Sequence, residues 1–381
     1  MSDARTQEVF GGHGALKNAL DRLAPGVRNA LVVHGRRSFA ESGAEELFSR
    51  EVRFACEFFP GVEPNPTAVS VRACADRLRE QAFDAVIAVG GGSAIDTAKA
   101  AIAYISAENE DAVFENRFSV TDARPLFVCV PTTAGSGSEA TRFAVVYRDA
   151  VKYSVKHPLL KPDIVALDAA LTLSCPRDLT LAAGADAVCQ AVESWWSRAA
   201  DATSRACAVQ ALTAVVPNLI RVADVPDDLA AREAMITGAF AAGRAIDSTT
   251  TTAGHAMAYG LTTSFHLPHG LAVLSVMRSL VPFMADLGAL DDVSAALSSV
   301  FSPYGGEFAP AFRALTVEVF RRVEWGRFPF ASRSLDVSAA AARLADGVNV
   351  ERLSNHPYAL DRSAIHDVYV RILSDLVSQR T

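Results

Sequence analysis

At 381 residues the chain exceeds the length at which one hydrophobic core keeps growing, so two domains are expected. Apolar residues make up 50% and charged residues 21%, with a net charge of −7, which excludes a disordered or collagen-like chain and gives no basic face for nucleic acid. Six cysteines without a CxxC pair argue against a zinc cage or a disulfide framework, and the N-terminus has no basic region followed by an apolar stretch, so a cytoplasmic location without a membrane span is expected.

Along the chain, NALVVH from Asn29 to His34 is short, apolar and β-branched and ends at Gly35, the pattern of a buried parallel strand. Helical spacing follows in SFAESGAEELFSRE, then a strand-like VRFACEFF, a PNPT turn, and a helix from Ala68 to Gln81 that leads into the strand AVIAVG. The alternation continues through PLFVCVP, which predicts an α/β fold with a doubly wound parallel sheet whose ligands sit at the carboxyl ends of the strands. After Pro176 the chain is rich in Ala and Leu at helical spacing, so an all-α second half is expected, with the boundary between Cys175 and Asp178. The domains are therefore placed at 1–177 and 178–381.

Gly90, Gly91, Gly92 and Ser93 follow the strand AVIAV and open the helical AIDTAKAAIAYI, which aims backbone amides at a helix N-terminus and favours phosphate. A tight turn needing glycine only for its geometry explains the triplet equally well. The balance moves with Pro131 to Glu139, PTTAGSGSE, which follows another apolar strand and offers more donors than a turn requires. Two such loops at adjacent strand ends suit a pyrophosphate. The GxGxxG spacing and the following acidic residue of an ordinary Rossmann dehydrogenase are absent.

Asp186 and Gln190 lie four apart in AAGADAVCQAVESWW, one turn apart on one helix face. His255 and His269 follow in TTAGHAMAYGLTTSFHLPHG. A carboxylate and two imidazoles are ligand types for a divalent metal. Taken singly, Asp186 reads equally as a cap or ion-pair partner, Gln190 as a surface amide and either histidine as a hydrogen-bonded core residue.

Read together, GGGSAIDTAKA, PTTAGSGSEAT, GADAVCQAVESW, GHAMAY and LPHG stand in the order and at about the separations of the iron-containing (group III) alcohol dehydrogenases, which this chain resembles over nearly its whole length, including PNPT and the tail ERLSNHPYAL. The resemblance implies a dehydroquinate synthase-like architecture, a dinucleotide-binding α/β domain followed by an all-α metal-binding domain, a divalent metal in the cleft between them, and a homodimer. By position it implies the metal ligands Asp186, Gln190, His255 and His269, with Gln190 where most members have histidine and Tyr259 where they have a second histidine. Iron is the expected ion, with zinc and manganese as alternatives. It also implies dinucleotide contacts from Gly90, Gly91, Gly92, Ser93, Asp96, Thr132, Thr133, Ser136, Lys152 and Leu171, whereas Lys99 reads as readily as a solvated helix residue.

TRFAVVYRDAVKYSVKHP, DAVCQAVESWWS and AIDSTTTTAGHAMAYGLTTSFHLPHG are similar to the phosphonoacetaldehyde reductase branch of that family, except that the branch has lysine at Thr250 and proline at Gly254. The resemblance therefore implies reduction of a small aldehyde, phosphonoacetaldehyde to 2-hydroxyethylphosphonate first and another small aldehyde as the alternative, with Arg142, Lys156 or Arg244 as candidates for its anionic group. Asp186, His255, His269 and Tyr259 are the expected catalytic residues. The strand that ends at Gly35 is followed by Arg36 and Arg37 rather than by a ribose-binding aspartate, so NADPH is expected over NADH, against the alternative of a solvated loop. The rivals are a dehydroquinate synthase-like cyclase, which uses the nicotinamide transiently, and a metal-free binding protein.

Overall fold

The computed structural model describes residues 6–149, 151–328, 335–348 and 353–378. Ala150, and Glu351 and Arg352 of the tail motif, lie outside them. The chain divides into two compact units, Met1–Cys175 and Pro176–Thr381.

The first unit is built on eight strands among the described residues: β1 (Glu8–Gly11), β2 (Asn29–Gly35), β3 (Ala55–Val62), β4 (Ala85–Gly90), β5 (Leu126–Pro131), β6 (Phe143–Arg148), β7 (Val151–Lys156) and β8 (Ile164–Leu167). Six form one parallel sheet in the order β1-β8-β5-β4-β2-β3, and β6 and β7 form a separate antiparallel hairpin. Parallel pairing demands crossovers, which the helices Ala15–Leu23, Ala44–Glu51, Ala68–Glu80 and Gly92–Ile105 supply. Successive side chains of β2 and β4 point to opposite faces, and both faces are covered. Ala30, Val32, Ile87 and Val89 join Leu16, Leu20, Phe39 and Phe48 in one core, while the helix Gly92–Ile105 packs against β2 and β4. His34 pairs with Val89 and Gly90 with Pro131, so the carboxyl ends of β2, β4 and β5 lie side by side and their loops emerge together.

Two local features differ from the sequence reading. The segment SFAESGAEELFSRE forms two helices, Ser38–Glu41 and Ala44–Glu51, because Gly43 takes φ +82° and breaks the run. The sequence reading does not include β1, β8 or the β6–β7 hairpin; β1 and β8 are only four residues long, and β6, FAVVYR, shows no apolar–polar alternation, whereas β7, VKYSVK, alternates and was the available signal.

The second unit contains no strand among its described residues. Its central helix, Arg177–Trp196, starts directly after Pro176 and is buried over most of its circumference, packed by the helices Ala202–Val215, Leu229–Thr249 and His269–Asp286. A helix buried all round belongs at the centre of a bundle. The run Ala202–Asp224 is long and apolar enough to cross a membrane by length and composition, but half of it is buried inside this unit.

Candidate metal centre and nucleotide loops

In the first unit, the turn after β4 and the loop after β5 are tied together. Thr132 N donates to Gly90 O at 3.0 Å. A Cβ placed on Gly92 would lie 2.7 Å from Ser136 Oγ, so the absence of a side chain there sets how closely the two loops approach. Gly91, Gly92, Ser93, Thr133 and Ser136 thus gather at the N-terminus of the helix Gly92–Ile105, where free amides and the helix dipole favour an anion.

Asp96 and Lys99 support this pair of loops from below. The Asp96 carboxylate accepts from Ser138 Oγ at 2.6 Å and from Val145 N at 2.9 Å, and burial pushes its pKa up against the pull of Lys99. Lys99 is fully buried rather than solvated, with Nζ donating to Thr141 O, Thr141 Oγ1 and Phe143 O at 2.7 to 3.0 Å, because the loop that follows β5 folds back over its helix. Glu139, also buried, has its pKa raised to about 7 by desolvation. Lys152 is half-buried on β7 and its charge bears on Asp96, and Leu171 is buried in the short turn Ala169–Thr172. Beyond Gly35, Arg36 pairs with Glu63 at 2.6 Å and Arg37 approaches Glu41 at 3.9 Å, both in solvent. Arg142 and Lys156 are exposed neighbours at the base of the β6–β7 hairpin, whereas Arg244 is exposed on the helix Leu229–Thr249 of the second unit.

The second unit brings Asp186, His255 and His269 together: each offers a ligand atom, and these atoms lie within 4.8 Å of one another. Asp186 comes from the middle of the central helix, His255 from the first turn of the helix Ala253–Phe265, and His269 opens the helix His269–Asp286. Pro268 starts that last helix, and a Cβ on Gly270 would sit 1.9 Å from Ala182 O and 2.9 Å from Asp186 Cβ. Only glycine lets the two helices close on each other at that point. His255 Nε2 stands 3.1 Å from Asp186 Oδ1, and Gln190 Nε2 donates to Asp186 Oδ2 at 3.1 Å. The His255 and His269 rings meet edge to face at 5.5 Å, and Tyr259, one turn beyond His255, stacks nearly parallel on His269 at 6.0 Å.

Glu193 is the residue the sequence reading missed. It is fully buried, its Oε2 meets His255 Nδ1, and its Oε1 accepts from Thr252 N at 3.0 Å and Thr252 Oγ1 at 2.6 Å. Its place seven residues after Asp186, two turns on the same helix face, was the available signal. Burial alone lowers the pKa of His255, but Glu193 and Asp186 outweigh it and raise it to about 10.

A carboxylate and two imidazoles clustered this closely, with the Gln190 amide beside them, form a donor set of the kind that first-row divalent ions such as iron, zinc and manganese accept, so the residues fit the ion that the resemblance implies.

Comparison with known proteins agrees with the fold. Residues 6–169 match the iron-containing alcohol dehydrogenase model and residues 180–306 the C-terminal model of the Fe-containing alcohol dehydrogenase family. The probable alcohol dehydrogenase EutG of Escherichia coli (strain K12) is 34% identical over 232 residues, 60% of this chain and 58% of that protein, so the match spans less than two thirds of that relative's length. Phosphonoacetaldehyde reductase of Streptomyces viridochromogenes is 32% identical over 322 residues, 80% of each chain. Among solved structures, sulfoacetaldehyde reductase from Bifidobacterium kashiwanohense in complex with NAD+ has the same fold, with a TM-score of 0.84 at 24% identity over 98% of both chains. The chain belongs to the iron-containing alcohol dehydrogenase family.

Proposed function

We propose that this chain is a metal-dependent, NAD(P)H-dependent reductase of a small aldehyde, with NADPH as reductant and phosphonoacetaldehyde, reduced to 2-hydroxyethylphosphonate, as substrate. The observation that carries the reading is the convergence of Asp186, His255 and His269, with Gln190 beside them, in one cluster. In this reading those four side chains hold a divalent ion, iron first. When bound, the nicotinamide supplies a hydride and the ion a Lewis acid for the carbonyl oxygen. The glycine turn and the Thr132–Ser136 loop hold the pyrophosphate on backbone amides. Tyr259, stacked on His269, is the hydroxyl suited to hand a proton to the product oxygen.

The phosphonate assignment is supported by the 32% identity to the Streptomyces enzyme over 80% of both chains. An anionic head group calls for a cation, which Arg142, Lys156 or Arg244 would provide. The test is a screen of phosphonoacetaldehyde against simple uncharged aldehydes, following the stoichiometric loss of NADPH after loading with ferrous iron, zinc or manganese. No oxidation of NADPH with any aldehyde would sink the reductase reading. Equal kcat/KM for plain and phosphonate-bearing aldehydes would remove the phosphonate and leave the reductase.

A further inference from the structure

We propose that Glu193 is the positioning residue of the metal centre, locking both the ring orientation and the helix end of His255, and that Gly254 lacks a side chain so that this carboxylate can take its place. The inference rests on the metal reading above. An imidazole that ligates through Nε2 must keep its proton on Nδ1, and the partner of Nδ1 decides which nitrogen carries it. Here that partner is Glu193 Oε2, which can only accept, so Nδ1 holds a proton throughout and Nε2, which faces Asp186, is the nitrogen that gives up its proton to ligate an ion.

The second oxygen of the same carboxylate does different work. Glu193 Oε1 accepts from the amides of Thr252 and His255, at 3.0 and 3.4 Å, and from the Thr252 hydroxyl. These amides open the helix Ala253–Phe265, whose own N-cap residue supplies no side-chain bond. A negative charge at that end satisfies free N–H groups and suits the helix dipole. One buried side chain from the central helix therefore caps the neighbouring helix and orients the ligand standing one turn inside it.

Space for this arrangement comes from residue 254. A Cβ there would lie 2.9 Å from Glu193 Cδ, 3.0 Å from Glu193 Oε1 and 2.6 Å from Met277 Sδ. A side chain at 254 and the carboxylate in its present position exclude each other.

The experiment compares the full-length chain with Glu193→Gln and Gly254→Ala. Glutamine keeps the volume and the oxygen that caps the helix, but it turns an NH2 group on Nδ1, which must then accept and shift the proton to Nε2. The expected result is a cobalt(II) or zinc(II) dissociation constant weaker by roughly 10- to 100-fold, with NADPH binding unchanged. In 15N-histidine spectra of the zinc-loaded protein, the strongly hydrogen-bonded Nδ1 proton is present in the wild type and lost in Glu193→Gln. A mere capping role would leave that resonance in place. Gly254→Ala keeps the charge but displaces it, and weakens metal binding in the same direction. A folded Glu193→Gln that binds metal as tightly, with the same spectrum, overturns the proposal. If that variant does not fold, an unchanged metal affinity in Gly254→Ala does so instead. A wild-type chain that takes up no divalent ion overturns the metal reading itself, and this inference with it.

Discussion

Gln190 sits one turn beyond Asp186 on the central helix and donates its amide nitrogen to the Asp186 carboxylate at 3.1 Å. A half-turn of the amide exchanges that nitrogen for the oxygen, so the same side chain can serve as a hydrogen-bond donor to Asp186 or as a neutral oxygen ligand beside it. An amide oxygen is a weaker donor to borderline metals than an imidazole, so in the proposed metal site residue 190 would limit how tightly an ion is held.

Gln190→His is therefore expected to tighten zinc or ferrous iron binding about tenfold or more, which is ~1.4 kcal/mol or more. Competition against a chelator of known affinity measures it. An unchanged dissociation constant would mean that residue 190 does not reach the ion.

His269 opens its helix and is only half-buried, so removing its ring costs little packing. His269→Ala is expected to lose aldehyde reduction by several orders of magnitude, since one of three clustered ligand groups is gone, while its melting midpoint corresponds to a stability change within about 1 kcal/mol. Reduction that survives in a variant with wild-type metal content would show that the ring is not a ligand.

Much of this centre could be read from spacing because Asp186 and Gln190 share one helix, where the interval of four residues has direct geometric meaning. His255 and His269 come from two other helices, and no interval in the chain encodes their approach to Asp186; the resemblance to known motifs supplied it. Glu193 was passed over for a different reason. A single acid among AVESWW reads as a surface charge until the helix is seen to be buried on that side as well. Lys99 followed the same logic in the first unit: a lysine in a helix is ordinarily solvated, and only the return of residues 138–143 over it buries it among carbonyl oxygens. The sheet was legible where its strands are long, apolar and fully buried, as in β4, and illegible in β1 and β8, where four residues carry too little periodicity.

The electrostatics of the cluster give the sign of its pH dependence. Burial opposes the charge on His255, but Glu193 and Asp186 prevail and hold its pKa near 10, so at neutral pH the metal-free ring carries two protons. A ligating ring carries one, and loading must release about one proton. The metal-free state binds more protons than the loaded state, so apparent metal affinity rises with pH, by about tenfold per unit, up to a pH near 10. Calorimetric titration at neutral pH in two buffers of different ionisation enthalpy counts the proton; no release would contradict the charged ring.

Thr250 joins the helix Leu229–Thr249 to the segment that carries His255, with φ +59° and ψ 178°, a region open to glycine and costly for a β-branched residue. Asn355 holds it there through Thr249 O at 2.7 Å and Thr250 Oγ1 at 3.2 Å. Thr250→Gly relieves strain that exceeds the lost hydroxyl contact and the added chain entropy, for a gain of about 1 kcal/mol. The melting midpoint is expected to rise by roughly 2–4 °C. A fall would mean that the Asn355 contact is worth more than the strain.

In the proposed NADPH reading, cofactor preference turns on the end of β2, where Gly35 leaves no carboxylate to bind a ribose 2′-hydroxyl or to repel a 2′-phosphate. Arg36 is mostly exposed and paired only in solvent with Glu63, a contact of little energetic weight that a phosphate can displace. The wild-type chain is thus expected to favour NADPH, and Arg36→Ala to raise KM for NADPH severalfold with little change for NADH. Gly35→Asp tests the same logic from the other side. Its Cβ would lie 2.6 Å from Ser38 Oγ, a hydroxyl that can rotate away, so the new carboxylate can be accommodated at the strand end. There it is expected to lower kcat/KM for NADPH by about tenfold relative to NADH, which corresponds to ~1.4 kcal/mol of like-charge repulsion. A wild-type preference for NADH would leave the two arginines as ordinary solvated side chains and remove the 2′-phosphate from this end of the sheet.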